Sequence, residues 1–146
     1  MELKIKKLRP GAQLPQRATE GSAGLDLCAL CDEPIVVQPG QRILVPTGLS
    51  IELPGPRYVA LVFARSGMAL REGLAMANGV GVIDSDYRGE LAVPVINQSD
   101  KPVHIENGQR IAQMLVMPVE LPVPVLAEEI SETQRGTGGF GSTGKG

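Results

Sequence analysis

The chain has 146 residues, about the length of one domain, with 14 basic and 16 acidic side chains and a formal net charge of −2. This near balance of charge favours neither a nucleic-acid groove nor an anionic membrane surface as a partner. No apolar run approaches the ~18 residues of a membrane-spanning helix. Residues 1–7 alternate in charge and lack the apolar centre of a signal peptide. We therefore expect one cytoplasmic domain without nucleic-acid or membrane partners.

Strand signals dominate the chain in sequence order. Alternating or continuous apolar runs predict strands, and clusters of Gly, Pro, Asn and Asp between them predict turns. The predicted strands cover residues 3–8, 23–29, 35–37, 42–53, 58–63, 90–97, 103–106, 110–119 and 123–128. Many short strands separated by turns are typical of a β-sandwich or a jelly roll.

Only residues 66–74 have helical character, because Met68, Ala69 and Leu70 favour a helix. Ser66 is the predicted N-cap of this helix, which is about two turns long. The sequence thus predicts an all-β protein, a distorted jelly-roll barrel or sandwich with one short helix. The folded domain is expected to span residues 1–130.

Aromatic residues make up 3% of the chain, and tryptophan is absent. The core must therefore depend on aliphatic side chains. Association of several copies would bury more apolar surface, so we expect a closed homo-oligomer.

Residues 131–146 form a glycine-rich C-terminal tail. Glycine without apolar neighbours cannot bury enough surface to offset its backbone entropy, so we expect the tail to be mobile in the free protein. Arg135 and the hydroxyl groups of Ser142 and Thr143 suit a polyphosphate, and Phe140 suits stacking on a base. The alternative is a frayed terminus or a cloning remnant.

Residues 139–145 match the first seven positions of a P-loop, but Gly146 stands where Ser or Thr is required. A P-loop also needs a preceding strand and a following helix, which the sequence does not offer. A P-loop nucleotidase is therefore excluded, and the tail is expected to fold over a ligand.

The two cysteines, Cys28 and Cys31, form a single C-x2-C pair. A zinc site needs two further ligands, and the only histidine, His104, lies about 75 residues away in a predicted strand. We expect Cys28 to be a small buried hydrophobic residue and His104 to be a surface residue. Neither a Ser-His-Asp nor a Cys-His mechanism is supported.

The segment of residues 78–90 is the richest in chemically useful groups. Its glycines permit a sharp hairpin and a close approach of the backbone to a ligand. Asp84 and Asp86 are two residues apart and would point the same way in an extended strand. In a poorly solvated pocket one of them would have a raised pKa and could act as a base. Tyr87 adds a flat ring, but a polar hairpin with acidic turn residues is an equally good interpretation of this segment alone.

Three other segments carry polar groups near predicted strand ends. Arg65 and Ser66 stand where a buried strand meets the short helix, an arrangement that suits an anion. Gln113 adds an amide on a strand. Asp26 lies within an apolar strand, where a carboxylate costs free energy unless a cation is near.

Together these segments resemble the trimeric dUTP diphosphatase (dUTPase) family. The five motifs occur in order and at the family's spacing, and they extend over the chain from residue 3 to its end. The matching stretches are Ala-Gly-Leu-Asp-Leu at 23–27, Arg-Ser-Gly at 65–67, Gly-Val-Ile-Asp-Ser-Asp-Tyr-Arg-Gly-Glu at 81–90, Gly-Gln-Arg-Ile-Ala-Gln at 108–113 and Arg-Gly-Thr-Gly-Gly-Phe-Gly-Ser-Thr-Gly at 135–144. Ala64 departs from the family, which usually has proline before the second motif.

The resemblance implies a jelly-roll homotrimer with three active sites at the subunit boundaries. It implies Mg²⁺-dependent hydrolysis of dUTP to dUMP and pyrophosphate, which keeps uracil out of DNA and supplies dUMP for dTMP synthesis. Asp84 would be the general base that activates water for in-line attack on the α-phosphorus. Such chemistry depends on positioning and charge neutralisation more than on covalent help.

The resemblance also implies the roles of the binding residues. The uracil would be read by Asn78 and by the backbone of the 78–84 hairpin, including Gly81, Val82 and Ile83. Tyr87 would lie under the deoxyribose and exclude a 2′-hydroxyl. The phosphates would be bound by Arg65, Ser66, Gly67 and Gln113. Asp26 would hold a water of a Mg²⁺ ion that the substrate phosphates carry, so no residue is a direct metal ligand.

The tail would close from another subunit, with Arg135, Phe140, Gly141, Ser142 and Thr143 on the substrate. The resemblance leaves the role of Asp86 open, and orienting Arg88 or the hairpin is one interpretation.

Three alternatives remain at this point. A dCTP deaminase shares the fold but needs a glutamate that shuttles protons at C4, and it lacks a tail with phenylalanine. A non-catalytic nucleotide-binding protein on the same scaffold would be expected to lack Asp84 or the tail. A structural jelly roll, such as a capsid-like subunit, would not need these polar groups at its strand ends.

Overall fold

The computed structural model describes residues 1–140. Within these residues the chain forms eleven strands and one helix. Their bounds are β1 Lys4–Lys7, β2 Leu25–Cys28, β3 Ile35–Val37, β4 Arg42–Pro46, β5 Leu49–Glu52, β6 Tyr58–Ala64, α1 Ser66–Glu72, β7 Leu74–Met76, β8 Gly81–Ile83, β9 Ala92–Asn97, β10 Val103–Ile105 and β11 Arg110–Pro118. The prediction of an all-β protein with one short helix is confirmed.

The strands pair in an antiparallel manner throughout the described sheets. The largest sheet has the order β2-β11-β6-β8, the next has the order β4-β9-β7, and β1-β5 and β10-β3 form two-stranded pairs. In β11, Gln113 stands opposite Asp26 on one side and Phe63 on the other. Strand β11 therefore brings the polar residues of three distant segments to one place.

The core is aliphatic, as the composition predicts. Its largest fully buried apolar side chains are Leu27, Val37, Val45, Leu49, Val93, Val95, Ile105 and Met114. Burying a side chain of this kind contributes roughly 1.5–3 kcal/mol relative to leaving it exposed. The alternating burial along β9 shows how period-two patterning directs one face of a strand inward.

The N-cap of helix α1 lies one residue earlier than predicted. Arg65 occupies the N-cap position with extended backbone, Ser66 is the first helical residue, and no side chain caps the helix. Gly73 ends the helix in the left-handed conformation, with φ of 70°, which glycine adopts without a steric penalty. Leu74 therefore belongs to β7 and not to the helix.

Two other predictions of strands are wrong. The run 42–53 is two strands, because the chain turns at Thr47 and Gly48, where φ of the glycine is 69°. Residues 123–128 are not a strand; every side chain from 121 to 130 is exposed. A strand needs a neighbour to satisfy its backbone groups, and no strand of residues 1–140 pairs with this segment.

The sequence also missed β7 and β8 as separate strands. Strand β7 begins at Leu74, which was assigned to the end of the predicted helix, and β8 lies in the glycine-rich segment 78–90. Helix α1 is far too short and too polar to cross a membrane, and residues 1–140 contain no other helix.

Candidate functional site

The first candidate site is a cleft of about 810 Å³ where β2, β6, α1 and β11 meet. It contains the five residues of the domain, outside the tail, that were predicted to bind the phosphates or the metal-bound water. These are Asp26, Arg65, Ser66, Gly67 and Gln113, and the cleft is also lined by Arg71 and Arg110. We call these seven residues the basic cleft.

Asp26 is held between two arginines in this cleft. Its Oδ1 lies 3.0 Å from Nε of Arg65, and its Oδ2 lies 3.2 Å from Nη1 of Arg110. The Asp26 side chain is 14% exposed, so the two guanidinium groups provide the cations that a carboxylate in an apolar strand requires. The ion pairs also orient Arg65, whose side chain is 28% exposed, toward the cleft.

The basic cleft carries a surplus of positive charge. Three guanidinium groups face one carboxylate, which gives a net charge of +3 − 1 = +2. Arg71 forms no ion pair within residues 1–140. The cleft is therefore suited to a multiply charged anion.

The motifs of the sequence predicted no role for Arg71 or Arg110. Arg71 is four residues after Gly67 on α1, and its Nη2 lies 2.9 Å from the position that a Cβ of Gly67 would occupy. The available signal was this i, i+4 spacing, which puts both residues on one helix face. Arg110 reaches the cleft because β11 pairs with β2, which the sequence did not reveal.

Gln113 reaches the basic cleft with its amide fixed. Its Nε2 donates to the backbone oxygen of Ala64 at 3.0 Å. A Cβ on Gly24 would lie 2.6 Å from Oε1 of Gln113, so only glycine leaves room for the amide at this place. Ala64 contributes through its backbone oxygen, which a proline at this position would also provide.

The second candidate site is a cavity of about 420 Å³ beside β8. We call it the hairpin cavity, after the hairpin that the sequence predicted over residues 78–90. That prediction is wrong, because β8 pairs with β6 whereas the flanking strands β7 and β9 pair with each other in a different sheet. The cavity is lined by Leu44, Val82, Ile83, Asp84, Tyr87, Glu90 and Ala92. Asp84 directly follows β8 and is exposed, and its backbone oxygen accepts a hydrogen bond from the Tyr87 N–H at 3.2 Å. A tight turn thus places the carboxylate and the ring in one cavity.

Asp84 and Asp86 do not share an extended strand. Both are exposed, and Asp86 lies in the turn. The guanidinium of Arg88 donates to the backbone oxygens of Ser85 and Tyr87, at 2.8 and 3.0 Å. Asp86 forms no ion pair in the described part of the chain. Because both carboxylates are exposed, a poorly solvated pocket around the two of them is not formed within one chain.

Gly81 and Asn78 differ from the other predicted binding residues of the segment 78–90. Gly81 is buried, and a Cβ there would lie 3.2 Å from Cβ of Val62, so packing against β6 explains the glycine. Asn78 is exposed in the turn between β7 and β8 and is not among the residues that line the hairpin cavity. Gly79 has φ of 73° in this turn.

The two cavities have no lining residue in common. A single chain thus places Asp84 and Tyr87 in one cavity and Arg65 and Gln113 in another. The residues predicted to act on one substrate are divided between two places on the molecule.

The predicted tail residues are described in part. Arg135 and Phe140 are fully or largely exposed, and Phe140 contacts no core residue. Gly141, Ser142 and Thr143 lie outside the described residues.

The protein's thiols and histidine are not part of either cavity's chemistry. Cys28 and Cys31 are free and half-buried, and burial raises the pKa of the Cys28 thiol, with the Asp26 carboxylate adding to the effect. A thiol of this kind stays protonated and is a poor nucleophile. His104 is exposed on β10, as expected.

The described residues contain no group of three or more His, Cys, Asp or Glu side chains that could hold a metal ion by themselves. Asp26 in the basic cleft is a single carboxylate. Mg²⁺ usually keeps several waters and is bound through one or two carboxylates together with substrate phosphates. The donor set therefore fits an ion that arrives with a phosphorylated substrate.

The sequence matches the dUTPase family over residues 11–144. A deoxyuridine 5'-triphosphate nucleotidohydrolase from Desulfitobacterium hafniense is 57% identical over 132 residues, which are 90% of this chain and 87% of the relative. The protein of the same name from Hydrogenobaculum sp. is 53% identical over 144 residues, 99% of each chain.

Solved structures agree with these relatives. The dUTPase of Staphylococcus bacteriophage 80alpha, solved with dUPNHPP, has a TM-score of 0.89 and 28% identity over 99% of both chains. A mutant dUTPase from phage phi11 of S. aureus has a TM-score of 0.81 and 22% identity over 90% of this chain, and its structure describes the coordination of a structural Mg(II) ion. The fold and the motifs lead to the same conclusion as the sequence matches: the chain belongs to the dUTPase family.

Proposed function

We propose that the protein hydrolyses dUTP to dUMP and pyrophosphate. The observation that carries this proposal is the basic cleft, where Asp26 orients Arg65 and Arg110 beside Gln113 with a net charge of +2. The activity is the one for which the relatives are named. In a cell it would keep uracil out of DNA and supply dUMP for dTMP synthesis.

The triphosphate would occupy the basic cleft. Arg65, Ser66, Gly67 and Gln113 are the proposed phosphate ligands, and the guanidinium groups of Arg71 and Arg110 add to the positive potential. Arginine suits this task because its planar group donates two parallel hydrogen bonds to a phosphate. The Asp26 ion pairs hold these donors before the substrate arrives, which reduces the reorganisation needed in the transition state.

Asp84 is the proposed general base. Its carboxylate takes a proton from a water whose oxygen forms a bond to the α-phosphorus. The bond from the α-phosphorus to the bridging oxygen of the β-phosphate breaks, and pyrophosphate leaves in line with the attacking water. The exposure of Asp84 leaves its oxygens free to contact such a water.

The hairpin cavity would take the nucleoside. The backbone of β8 at Gly81, Val82 and Ile83, with Asn78, would bind the uracil edge, and Tyr87 would lie under the deoxyribose. A 2′-hydroxyl would then clash with the ring, so dUTP would be chosen over UTP.

Mg²⁺ is the proposed cofactor. When bound to the phosphates it would neutralise part of their charge and polarise them toward attack. In this chain Asp26 is the residue that would hold one of its waters. The same carboxylate pairs with Arg65 and Arg110, so its charge is shared between the protein and the metal site.

A homotrimer is the proposed assembly, because Asp84 and Arg65 lie in different cavities of one chain. Combining them at one substrate requires a neighbouring subunit. Several apolar side chains of residues 121–130 are exposed, and the exposed fraction of Leu126 is 102%. Such a patch supports burial against another copy of the chain.

Residues 1–130 would be the domain, and residues 131–146 would be the lid. The lid would bring Arg135, Phe140, Gly141, Ser142 and Thr143 to the substrate.

Because the substrate is a nucleotide of the DNA precursor pool, we place the protein in the cytoplasm.

The test is pyrophosphate release from dUTP, dTTP, UTP and dCTP, with Mg²⁺ and with a chelator. We expect release from dUTP alone and its loss with the chelator. Ammonia from dCTP would instead support the deaminase alternative, and no product from any nucleotide would support a non-catalytic scaffold. Sedimentation of the same preparation tests the trimer.

A further inference from the structure

The ring of Tyr87 occupies the space that a side chain would take at Gly89. A Cβ built on Gly89 would lie 2.5 Å from Cζ and 2.9 Å from Cε2 of Tyr87, and it would also overlap the hydroxyl oxygen. Real Cβ atoms essentially never approach other heavy atoms within 3.0 Å. The hydroxyl end of the ring therefore lies directly over the Gly89 backbone.

The backbone conformation does not explain this glycine. Gly89 is not among the residues with positive φ, unlike Gly79 in the preceding turn. An alanine would thus adopt the same backbone without strain, and the three atoms nearest to its Cβ all belong to the Tyr87 ring and hydroxyl.

A hydrogen bond holds the ring at this position. The Tyr87 hydroxyl donates to the backbone oxygen of Glu90 at 3.0 Å. The carboxylate of Glu90 accepts from Arg9 at 2.6 Å and from the backbone N–H of Gly48 at 2.7 Å. Glu90, whose backbone oxygen accepts the hydrogen bond from Tyr87, is therefore held in place through its side chain by two donors from other segments.

The backbone around Gly89 is fixed on both sides as well. The Ser50 hydroxyl donates to the backbone oxygen of Arg88 at 2.7 Å, and the Leu91 N–H donates to the backbone oxygen of Leu49 at 2.7 Å. Both partners belong to β5, so the segment cannot move away to admit a methyl group without breaking contacts with a strand.

We propose that Gly89 is a positioning residue. Because it has no side chain, it leaves the space in which the Tyr87 ring lies, and through the position of that ring it determines the preference for dUTP over UTP. This inference rests on the proposed function, because Tyr87 lines the cavity assigned to the nucleoside. Tyr87 is 44% exposed, so few side-chain contacts restrain it. Its ring position therefore depends on packing against the Gly89 backbone and on the hydrogen bond to Glu90.

The test compares Gly89→Ala with the matched control Gly21→Ala. A Cβ at Gly21 meets no atom within 4 Å, and the residue also lacks a positive φ. The measured quantity is the ratio of kcat/KM for dUTP to kcat/KM for UTP. We expect Gly89→Ala to lower this ratio at least tenfold, which corresponds to about 1.4 kcal/mol of discrimination, and Gly21→Ala to leave it unchanged.

A spectroscopic measurement follows the position of the Tyr87 ring independently of enzymatic activity. The chain contains two tyrosines and no tryptophan, so Tyr58→Phe leaves Tyr87 as the only tyrosine. The Tyr58 hydroxyl forms no hydrogen bond within residues 1–140, so this background change removes no polar contact. With ¹³C-labelled tyrosine, the Tyr87 ring signals should move in Gly89→Ala and stay in place in Gly21→Ala.

Tyr87→Phe is the second variant, for the case that Gly89→Ala does not fold. It removes the hydrogen bond to Glu90 and adds no atom, so we expect a smaller loss of the dUTP to UTP ratio, roughly three- to fivefold. The proposal is overturned if Gly89→Ala leaves both the ratio and the Tyr87 signals unchanged, or if the signals move while the ratio stays. If Gly89→Ala does not fold, an unchanged ratio in Tyr87→Phe overturns it. If the wild-type protein does not hydrolyse dUTP, the proposed function fails, and the ring signals still show whether Gly89 seats Tyr87.

Discussion

Replacing Arg71 with alanine tests whether the surplus charge of the basic cleft binds phosphates. The substitution removes one of the three guanidinium groups of the cleft and leaves Asp26 paired with Arg65 and Arg110, so the net charge of the cleft falls from +2 to +1. Arg71 is exposed and its guanidinium lies against Gly67, one of the proposed phosphate ligands. We therefore expect weaker binding of the triphosphate with little change in the fold.

The expected loss can be estimated from the charge and the exposure. Two unit charges ~4 Å apart interact by about 1 kcal/mol in bulk water and by about 4 kcal/mol at an effective dielectric constant of ~20. Because Arg71 is exposed, the lower part of this range applies, and we take ~1–2 kcal/mol. That energy is roughly a 5- to 30-fold increase in Kd.

The assay is calorimetric measurement of Kd for dUMP and for the imido analogue of dUTP. The loss should be larger for the analogue, because the Coulomb energy grows with the charge of the ligand, and it should shrink at high salt. Arg71→Lys should retain most of the affinity. Arg42→Ala is the matched control, since Arg42 is an exposed arginine that lines neither cavity. An equal loss for dUMP and the analogue, or a loss equal to that of the control, would refute the electrostatic argument.

Three further predictions concern the base, the tail and the first strand. Asp84→Asn should keep nucleotide affinity within about twofold and lower kcat by ~10²–10⁴-fold; unchanged turnover in a pyrophosphate assay would remove Asp84 as the base. Deleting residues 133–146 should leave a folded trimer by sedimentation and circular dichroism with severely reduced activity, and full activity would contradict the lid. The hydrogen bond and charge of Lys4 lower the pKa of Glu52, so Glu52 stabilises the fold above its ordinary pKa and this contribution is lost as the pH falls through the lowered value. In Lys4→Met, NMR titration should show the Glu52 pKa returning upward, and an unchanged value would exclude the pair.

Most strands could be predicted from the sequence, because their burial alternates or is continuous and the turns between them contain glycine or proline. Residues 123–128 show where this fails. Their apolar pattern is that of a strand, yet the pattern does not say where the partner strand is, and residues 1–140 offer none. Strands β7 and β8 were missed for a different reason. Strand β7 directly follows the helical pattern that begins at Ser66, and β8 lies among the glycines of the segment 78–90, so neither forms a separate apolar run bounded by turns.

The composition of the basic cleft was predictable only in part. Local motifs identified Arg65 and Gln113, because each stands in a short stretch with a recognisable pattern. Arg110 depends on the register between β11 and β2, in which it stands opposite Cys28 two residues from Asp26. Register is set by long-range pairing and by the bulge between Arg110 and Ala112, so sequence spacing alone could not bring Arg110 to Asp26.

Three glycines of the motifs have a packing role that the sequence did not suggest. Glycine in a ligand-binding segment was expected to leave room for the ligand's approach. In the structure, the space of the missing Cβ is filled by the protein itself: by the Gln113 amide at Gly24, by Val62 at Gly81 and by the Tyr87 ring at Gly89. A larger side chain at Gly24 or Gly89 would therefore displace a residue proposed to bind the substrate, even though neither glycine need touch that substrate. Such glycines affect specificity through the side chain that packs in the space of their missing Cβ. Variants at these glycines should therefore be tested by measuring the position of that side chain as well as turnover.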